Sequence, residues 1–466
     1  MKRLLFFLLI FIFVIQQIVV LPGCANIIPP SGGPRDSLPP RLLKASPPDS
    51  TTNYSGNKIL FSFDEYVELD NIQSNLLVSP TPNTQPVVDY RLNTITVKLA
   101  DVLESNTTYS LNFGNAIKDF NEGNVLKGFT YIFSTGPAID SLRFSGKVLL
   151  AETGKTDSTL IVILHKSSDD SAVVKNRPNY MARLDGNGNF VFSNMPPGTF
   201  YVYALQDQAG NHRYLDSKQL FAFADSAINI SQQTTPVTLY AYDENQKPEP
   251  LVSGLRSRSG IAENRLKYKT TVINGMQDIL EIFSFSFEQP LKNFDASRIR
   301  FTVDSTFTDV KNYSWEKDST GKIVRLKYQW KENTMYHVLL EKDFATDTSG
   351  RSLLKPDTLT FRTKKQIEYG TLNIVFRNLN LSLHPVLQLI QANEIKKSIP
   401  LTTTSITEPL FPPGDYELRI LYDRNNNGKW DAGNFFGELR QPEIAKPVER
   451  KISVKANHLN EFEIAL

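Results

Sequence analysis

Apolar and polar residues alternate one for one along many short stretches of this chain. Ile59-Leu60-Phe61-Ser62-Phe63, Thr94-Ile95-Thr96-Val97-Lys98-Leu99 and Ile282-Phe283-Ser284-Phe285-Ser286-Phe287 carry the pattern. Phe200-Tyr201-Val202-Tyr203-Ala204 and Tyr416-Glu417-Leu418-Arg419-Ile420 carry it too. A period of two places successive side chains on opposite faces, so each stretch predicts a short strand with one buried face. Gly, Pro, Asn or Asp bounds each of them, which favours antiparallel pairing through tight turns. No convincing amphipathic helix is seen, and Leu387 to Lys397 is the nearest ambiguous stretch. The expected fold is all-β, a series of β-sandwiches.

The chain repeats itself in an A-B-A-B order. Segment one carries Asn106-Thr107-Thr108-Tyr109, Asp119 to Asn124 and Phe133-Ser134-Thr135-Gly136. Segment three answers with Asn333-Thr334-Met335-Tyr336, Asp347-Thr348-Ser349-Gly350 and Phe361-Arg362-Thr363. Segments two and four share Pro196-Pro197-Gly198-Thr199-Phe200-Tyr201 and Pro412-Pro413-Gly414-Asp415-Tyr416-Glu417, each reaching an aspartate, Asp207 or Asp423, at the same offset. One duplication accounts for all four. Breaks are expected near 138–141, 243–252 and 364–369, giving segments of 38–137, 142–242, 250–365 and 367–466. Limited proteolysis is expected to cut first in the N-terminal tether and in Asp243 to Pro250.

The first 23 residues read differently. Lys2 and Arg3 precede an apolar run from Leu4 to about Val20, which Leu21-Pro22-Gly23-Cys24 closes. This is the layout of a secretory signal peptide. The four closing residues resemble the bacterial lipoprotein box, with Pro22 departing from the commoner small or hydroxyl residue. The resemblance implies cleavage before Cys24, the only cysteine, and acylation (palmitate-type lipid) of its thiol. An uncleaved anchor and ordinary secretion are the competing readings. Residues 24–37 are rich in Pro and Gly and read as an extended tether. Ala25 and Asn26 lack the aspartate that retains many lipoproteins at the inner membrane, so lipid anchoring in the outer membrane is expected, with neither face preferred.

Ser46-Pro47-Pro48-Asp49, Phe61-Ser62-Phe63-Asp64-Glu65-Tyr66-Val67 and the repeat elements of segment one resemble the bacterial Ig-like domain of S-layer type. Segment three is similar more loosely, with Gln289-Pro290-Leu291 in place of Glu-Tyr-Val. Phe144-Ser145-Gly146-Lys147-Val148, Asp185-Gly186-Asn187-Gly188-Asn189-Phe190 and Met195-Pro196-Pro197-Gly198 make segment two similar to the transthyretin-like sandwiches related to the carboxypeptidase regulatory domain. Segment four keeps only the second half of that pattern. Lipoprotein box, Ser31-Gly32-Gly33-Pro34-Arg35-Asp36 and Ig-like domain together resemble a class of Bacteroidota lipoproteins. The resemblance implies spacers, folding aids or docking units without catalytic residues.

Candidate chemistry is sparse. Asp423-Arg424-Asn425-Asn426-Asn427-Gly428-Lys429-Trp430-Asp431 alternates oxygen side chains around a glycine, as a calcium loop does, so Asp423, Asn425, Asn427 and Asp431 are candidate calcium ligands. Position twelve is Asn434 instead of a bidentate glutamate, with Glu438 a possible substitute. The competing reading is a solvated hairpin tip. The counterpart after Asp207 has too few oxygens for a metal. The five histidines show no ligand spacing, and no nucleophile elbow, zinc-protease helix or phosphate loop occurs. A net charge of +2 without a long basic run argues against nucleic-acid binding. Asp36-Ser37, Asp140-Ser141, Asp157-Ser158, Asp225-Ser226 and Asp357-Thr358 are similar to O-glycosylation acceptors of exported Bacteroidota proteins, and are also ordinary turn pairs.

These readings lead to a non-enzymatic envelope lipoprotein. It is expected to scaffold an envelope assembly or, alternatively, to bind a carbohydrate or peptide. Its expected partners are the membrane, through the lipid, and an unidentified envelope protein or glycan. No cofactor is required beyond a possible structural calcium ion. An exposed aromatic trio including Tyr201, Tyr203 and Tyr416 would favour glycan capture.

Overall fold

Strands form where the alternation predicts them: Lys58–Phe63, Thr94–Lys98, Gly198–Gln206, Ser284–Phe287 and Gly414–Tyr422. The computed structural model describes residues 35–207, 210–244, 265–437 and 440–466. Cys24 and the lipoprotein box, most of the tether, residues 245–252 of the second break, residues 253–264 at the start of the third segment, and Glu438 lie outside them. The fold is all-β, with helices confined to single turns such as Ile72–Asn75 and Ala172–Lys175. No helix among the described residues is long and apolar enough to cross a membrane.

Four apolar cores follow one another along the chain. The first gathers Phe61, Phe63, Ile95, Leu111 and Phe133, the second Phe144, Val162, Phe190, Phe200 and Leu239. The third gathers Phe283, Phe285, Phe301, Tyr336 and Phe361, the fourth Leu372, Leu387, Tyr416, Leu418 and Ile464. Each lies between facing sheets, so alternate residues of every strand point inward.

The duplication is visible in topology and in single hydrogen bonds. In both odd-numbered sandwiches the strand that carries the repeated tyrosine is central to its sheet: Leu77–Ser79, Thr108–Asn112, Thr130–Ser134 in the first, and Ile299–Val303, Met335–Leu340, Asp357–Thr363 in the third. Thr135 Oγ1 accepts the Thr107 N–H at 3.0 Å and donates to the Glu104 carbonyl at 2.7 Å. Thr363 Oγ1 does the same with Thr334 N–H at 2.9 Å and the Lys331 carbonyl at 2.6 Å. Asp119 and Asp347, both buried, cap their turns by accepting backbone N–H groups of residues 122–124 and of 349 and 351. Burial raises the Asp119 pKa, but these bonds outweigh it and the carboxyl stays below its ordinary range. Sandwiches two and four share a different plan, in which the first strand pairs in parallel with the last: Leu142–Leu150 with Val237–Ala241, and Gly370–Arg377 with Leu459–Ala465.

The ambiguous stretch from Leu387 to Lys397 is a hairpin. Pro385–Gln391 and Glu394–Pro400 pair across Ala392-Asn393, whose φ values of 53° and 63° are those of a tight two-residue turn. Pro385 to Ile390 are all buried. Leu387 and Leu389 face the fourth core, while Val386 packs with Leu421 and Ala445 on the other side. Burial on both faces removes the alternation, which is why this strand resists reading by period.

Polar contacts join the first sandwich to the second and the third to the fourth. Arg183 donates to the carbonyls of Asn75, at 2.8 Å, and Ser74, tying the second sandwich to the first. Tyr369, buried, donates to Asp278 Oδ1 at 2.6 Å and accepts the Ile279 N–H at 3.1 Å, tying the fourth to the third.

Candidate functional site

A fifth apolar cluster lies between the second and fourth sandwiches, which are not neighbours in sequence. Strands Gly414–Tyr422 and Ile444–Val454 are antiparallel partners, and the long connection between them reaches out of the fourth sandwich. It carries Phe435 onto the outer face of the second. There the ring meets Tyr203, Phe221 and Phe223 at centroid distances of 5.8, 5.0 and 5.0 Å. Ile163, Leu205, Tyr214 and Tyr242 complete the cluster. Arg440, from the same connection, lies over Phe435 and Phe223 and pairs with Asp170 at 2.8 Å. Backbone contacts lock the join. Ala445 N–H donates to the Ala151 carbonyl at 2.8 Å, the Phe435 N–H to Glu244 Oε1 at 3.0 Å, and Arg419 to the Glu152 carbonyl at 2.7 Å. Gly154, at φ +65°, sits so close to Pro447 that a Cβ would meet its Cδ at 2.3 Å.

The four calcium candidates stand at the start of this connection. Asp423 is 1% exposed, and its carboxylate accepts the N–H of Gly428 at 2.6 Å and of Asn427 at 3.3 Å. Asp431 Oδ2 accepts the side-chain amides of Asn425 and Asn427 at 2.7 and 2.6 Å. The four are thus brought together, with a partner that the sequence reading missed. Buried Glu443 accepts the N–H of Arg424 at 2.7 Å and of Asp431 at 3.1 Å, bridging the two ends of the loop. Burial raises the Glu443 pKa, and the charges of Asp423 and Asp431 push it further in the same direction. The donors are all oxygen-bearing, the class that calcium takes. A cation there would need Asn425 and Asn427 to turn their amide oxygens inward, in place of the N–H groups they give Asp431. Among the described residues no three His, Cys, Asp or Glu side chains form a metal-holding group. Asn434 is exposed, and its backbone makes a turn with Gly437 instead. Trp430 donates to the Glu443 carbonyl at 2.7 Å, so the stretch is a packed connection, not a free tip.

Beside this join lies a cavity of about 850 Å³, lined by residues 237–240 of the second sandwich and by Tyr422, Arg424, Glu443, Ile444 and Lys446 of the fourth. A smaller one of about 260 Å³ is lined by Tyr201, Tyr203, Phe435 and Arg440. Tyr201 and Tyr203 do share a face, turned toward the fourth sandwich, whereas Tyr416 is inside the fourth core. The three form no common exposed platform. The histidines are dispersed: His165 is buried against Tyr203, His212 lies beside Asp207, and His337 stacks on Phe307. Ser37, Ser141, Ser158, Ser226 and Thr358 are all exposed, as O-glycosylation acceptors must be.

Residues 36–135 match the family model of the bacterial Ig-like domain. The first sandwich is a bacterial Ig-like domain. No curated protein matches the chain. Similar solved structures include the Bacillus anthracis TIE protein, at 10% identity over 94% of this chain and 76% of that one, with a TM-score of 0.18. BcpA, the major pilin subunit of Bacillus cereus, is 11% identical over 69% of this chain and 99% of its own, with a TM-score of 0.17. The N-terminal part of the bacterial S-layer protein SbsC is 16% identical over 44% of each chain, with a TM-score of 0.16. Scores this low carry no inference about what the chain does.

Proposed function

We propose that this chain is a non-catalytic lipoprotein of the bacterial cell envelope, in which a lipid on Cys24 holds a braced stack of sandwiches to the outer membrane. The observation that carries the scaffold reading is the seating of Phe435 in the face of the second sandwich. Four sandwiches on plain linkers would swing independently. The Phe435 contact makes a closed connection across the third, and a closed connection holds shape, which is what a scaffold has to do. The lipoprotein box supports the anchor, and the shared parallel plan of the second and fourth sandwiches supports their transthyretin-like kinship. A structural calcium ion among Asp423, Asn425, Asn427, Asp431 and Glu443 would neutralise carboxylates at the root of the connection that carries Phe435.

Photo-crosslinking of the native protein in its membrane, followed by mass spectrometry, tests the reading. Recovery of an envelope protein at fixed stoichiometry supports it. Recovery of the lipoprotein alone, with all four sandwiches free to reorient in small-angle scattering, sinks it.

A further inference from the structure

The chain enters the first sandwich beside an exposed apolar patch. Arg35, the first described residue, donates to the Glu122 carbonyl at 3.1 Å. The Asn124 amide donates to the Asp36 carbonyl at 3.2 Å, so the entering chain lies along the 119–124 turn. Phe120 stands in that turn, and its N–H donates to the Tyr66 carbonyl at 3.0 Å. Val67–Leu69 pairs antiparallel with Ile117–Asp119, Val67 opposite Asp119, which makes Tyr66 and Phe120 cross-strand neighbours. Val67 and Asp119 are buried, so Tyr66 and Phe120 turn away from the core. The Val67 N–H also donates to the Leu92 carbonyl at 3.0 Å, which brings the next turn alongside. Leu38, Tyr66, Leu92 and Phe120 are 70%, 56%, 60% and 60% exposed. Single exposed apolar residues are ordinary, whereas several gathered in one place mark an interaction surface.

Where the chain comes from says what covers the patch. Cys24 stands 35 − 24 = 11 residues before Arg35. Even at full extension that length keeps Arg35 within about 40 Å of a lipid on Cys24. A bilayer held so near meets a weakly binding patch at high effective concentration. The neighbouring charges decide which bilayer suits it. Arg41 pairs with Asp64 at 3.4 Å and Lys118 with Glu68 at 2.8 Å. Arg35 and Arg91 at this end are matched by Asp36, Glu65 and Glu122. Burial raises the Glu65 pKa, and the charges of Asp119, Asp36, Asp64 and Glu122 push it further the same way. There is no basic excess to draw an anionic surface, so attraction has to come from the apolar side chains. Tyr66 has the form suited to the headgroup level, an apolar ring with a polar tip.

We propose that Leu38, Tyr66, Leu92 and Phe120 rest on the zwitterionic lipid surface to which the chain is anchored, so that the first sandwich stands with its entry end toward the bilayer. This rests on the proposed acylation of Cys24 and adds to it a second contact, which fixes orientation. The other end of the sandwich is the natural reference. Phe63 and Thr94 mark the entry end, while Lys58 pairs with Lys98 at the other and Leu99 N–H donates to the Asn57 carbonyl there. Val102, beyond Leu99, is 98% exposed.

Cys24 is the only cysteine, so once it is acylated an introduced cysteine takes a dye alone. The lipidated full chain carrying Asn121→Cys or Val102→Cys is labelled and placed in vesicles of phosphatidylethanolamine and phosphatidylcholine that contain a lipid-borne quencher. The dye at 121 should be quenched at least about threefold more than the dye at 102, since side chains at such a surface sink roughly 5–10 Å into it. High salt should leave the difference in place. Tyr66→Ser with Phe120→Ser, both at exposed positions, should bring the dye at 121 down to the level at 102. Equal quenching at 121 and 102 overturns the proposal, as does contact that appears only with anionic lipid. Dyes at 121 that quench one another without the lipid-borne quencher would give the patch to a second copy, and overturn it too. Holding the mature chain by an N-terminal histidine tag on nickel-chelating lipid repeats the comparison without acylation, so failure of the Cys24 anchor and failure of the patch are read separately.

Discussion

Phe435 of the fourth sandwich sits 5.0 Å from Phe221 of the second, edge to face, although more than two hundred residues separate them. The ring is 1% exposed and belongs to a cluster that neither sandwich completes alone. Phe435→Ala should cost roughly 3 kcal/mol, the usual range for a buried aromatic. The loss should appear as faster hydrogen exchange in both Phe221–Phe223 and Ile444–Val454. Acceleration confined to the fourth sandwich would show that the contact does not brace the second.

Anchoring rests on Cys24. Cys24→Ser should shift the protein from the membrane fraction to soluble or uncleaved material. A processed, lipid-free variant that still fractionates tightly with membranes would exclude acylation as the anchor.

Calcium should stabilise the full chain through ligand linkage, by about 2.7 kcal/mol at a hundredfold excess over Kd, and so raise its melting temperature. With few carboxylates the affinity should fall near 10⁻⁴ to 10⁻³ M, roughly the range of extracellular modules. Asp423→Ala and Glu443→Gln should each remove the gain. An unchanged melting curve in millimolar calcium means that the loop is held by its own hydrogen bonds.

His165 is 2% exposed, its Nε2 has no hydrogen-bond partner among the described residues, and burial lowers its pKa to about 4. The unfolded chain, with histidine near 6.5, therefore binds the proton more readily than the folded one. Stability from this group is complete above pH 6.5 and drains away as pH falls toward 4, by roughly 3 kcal/mol in all. His165→Phe should flatten that part of the pH–stability curve. A slope equal to that of the wild type over this window would show that His165 is not its source.

The paired threonines offer a check on the duplication. Thr135→Val and Thr363→Val each strand an N–H and a carbonyl and should cost similar amounts, about 1–3 kcal/mol. A cost at one site alone would mean that the two turns share geometry without sharing energetics.

Much of this architecture was legible in the chain itself. Alternation around Phe61, Phe285 and Tyr416 marks strands because side-chain direction in a strand is a local property. The Asn-Thr and Pro-Pro-Gly repeats mark the duplication because turns are made by the residues within them. Asp423, Asn425, Asn427 and Asp431 stood out for the same reason, being near one another in sequence. Glu443 did not, since only the pairing of Gly414–Tyr422 with Ile444–Val454 carries it back to Asp423. The apolar residues Trp430, Phe435 and Phe436 in a largely polar connection were the available sign of docking. What Phe435 docks against, and the return of Glu443 to Asp423, depend on surfaces brought together from distant segments. Tertiary structure decided these, because burial and strand pairing are relations between segments and no single segment contains them.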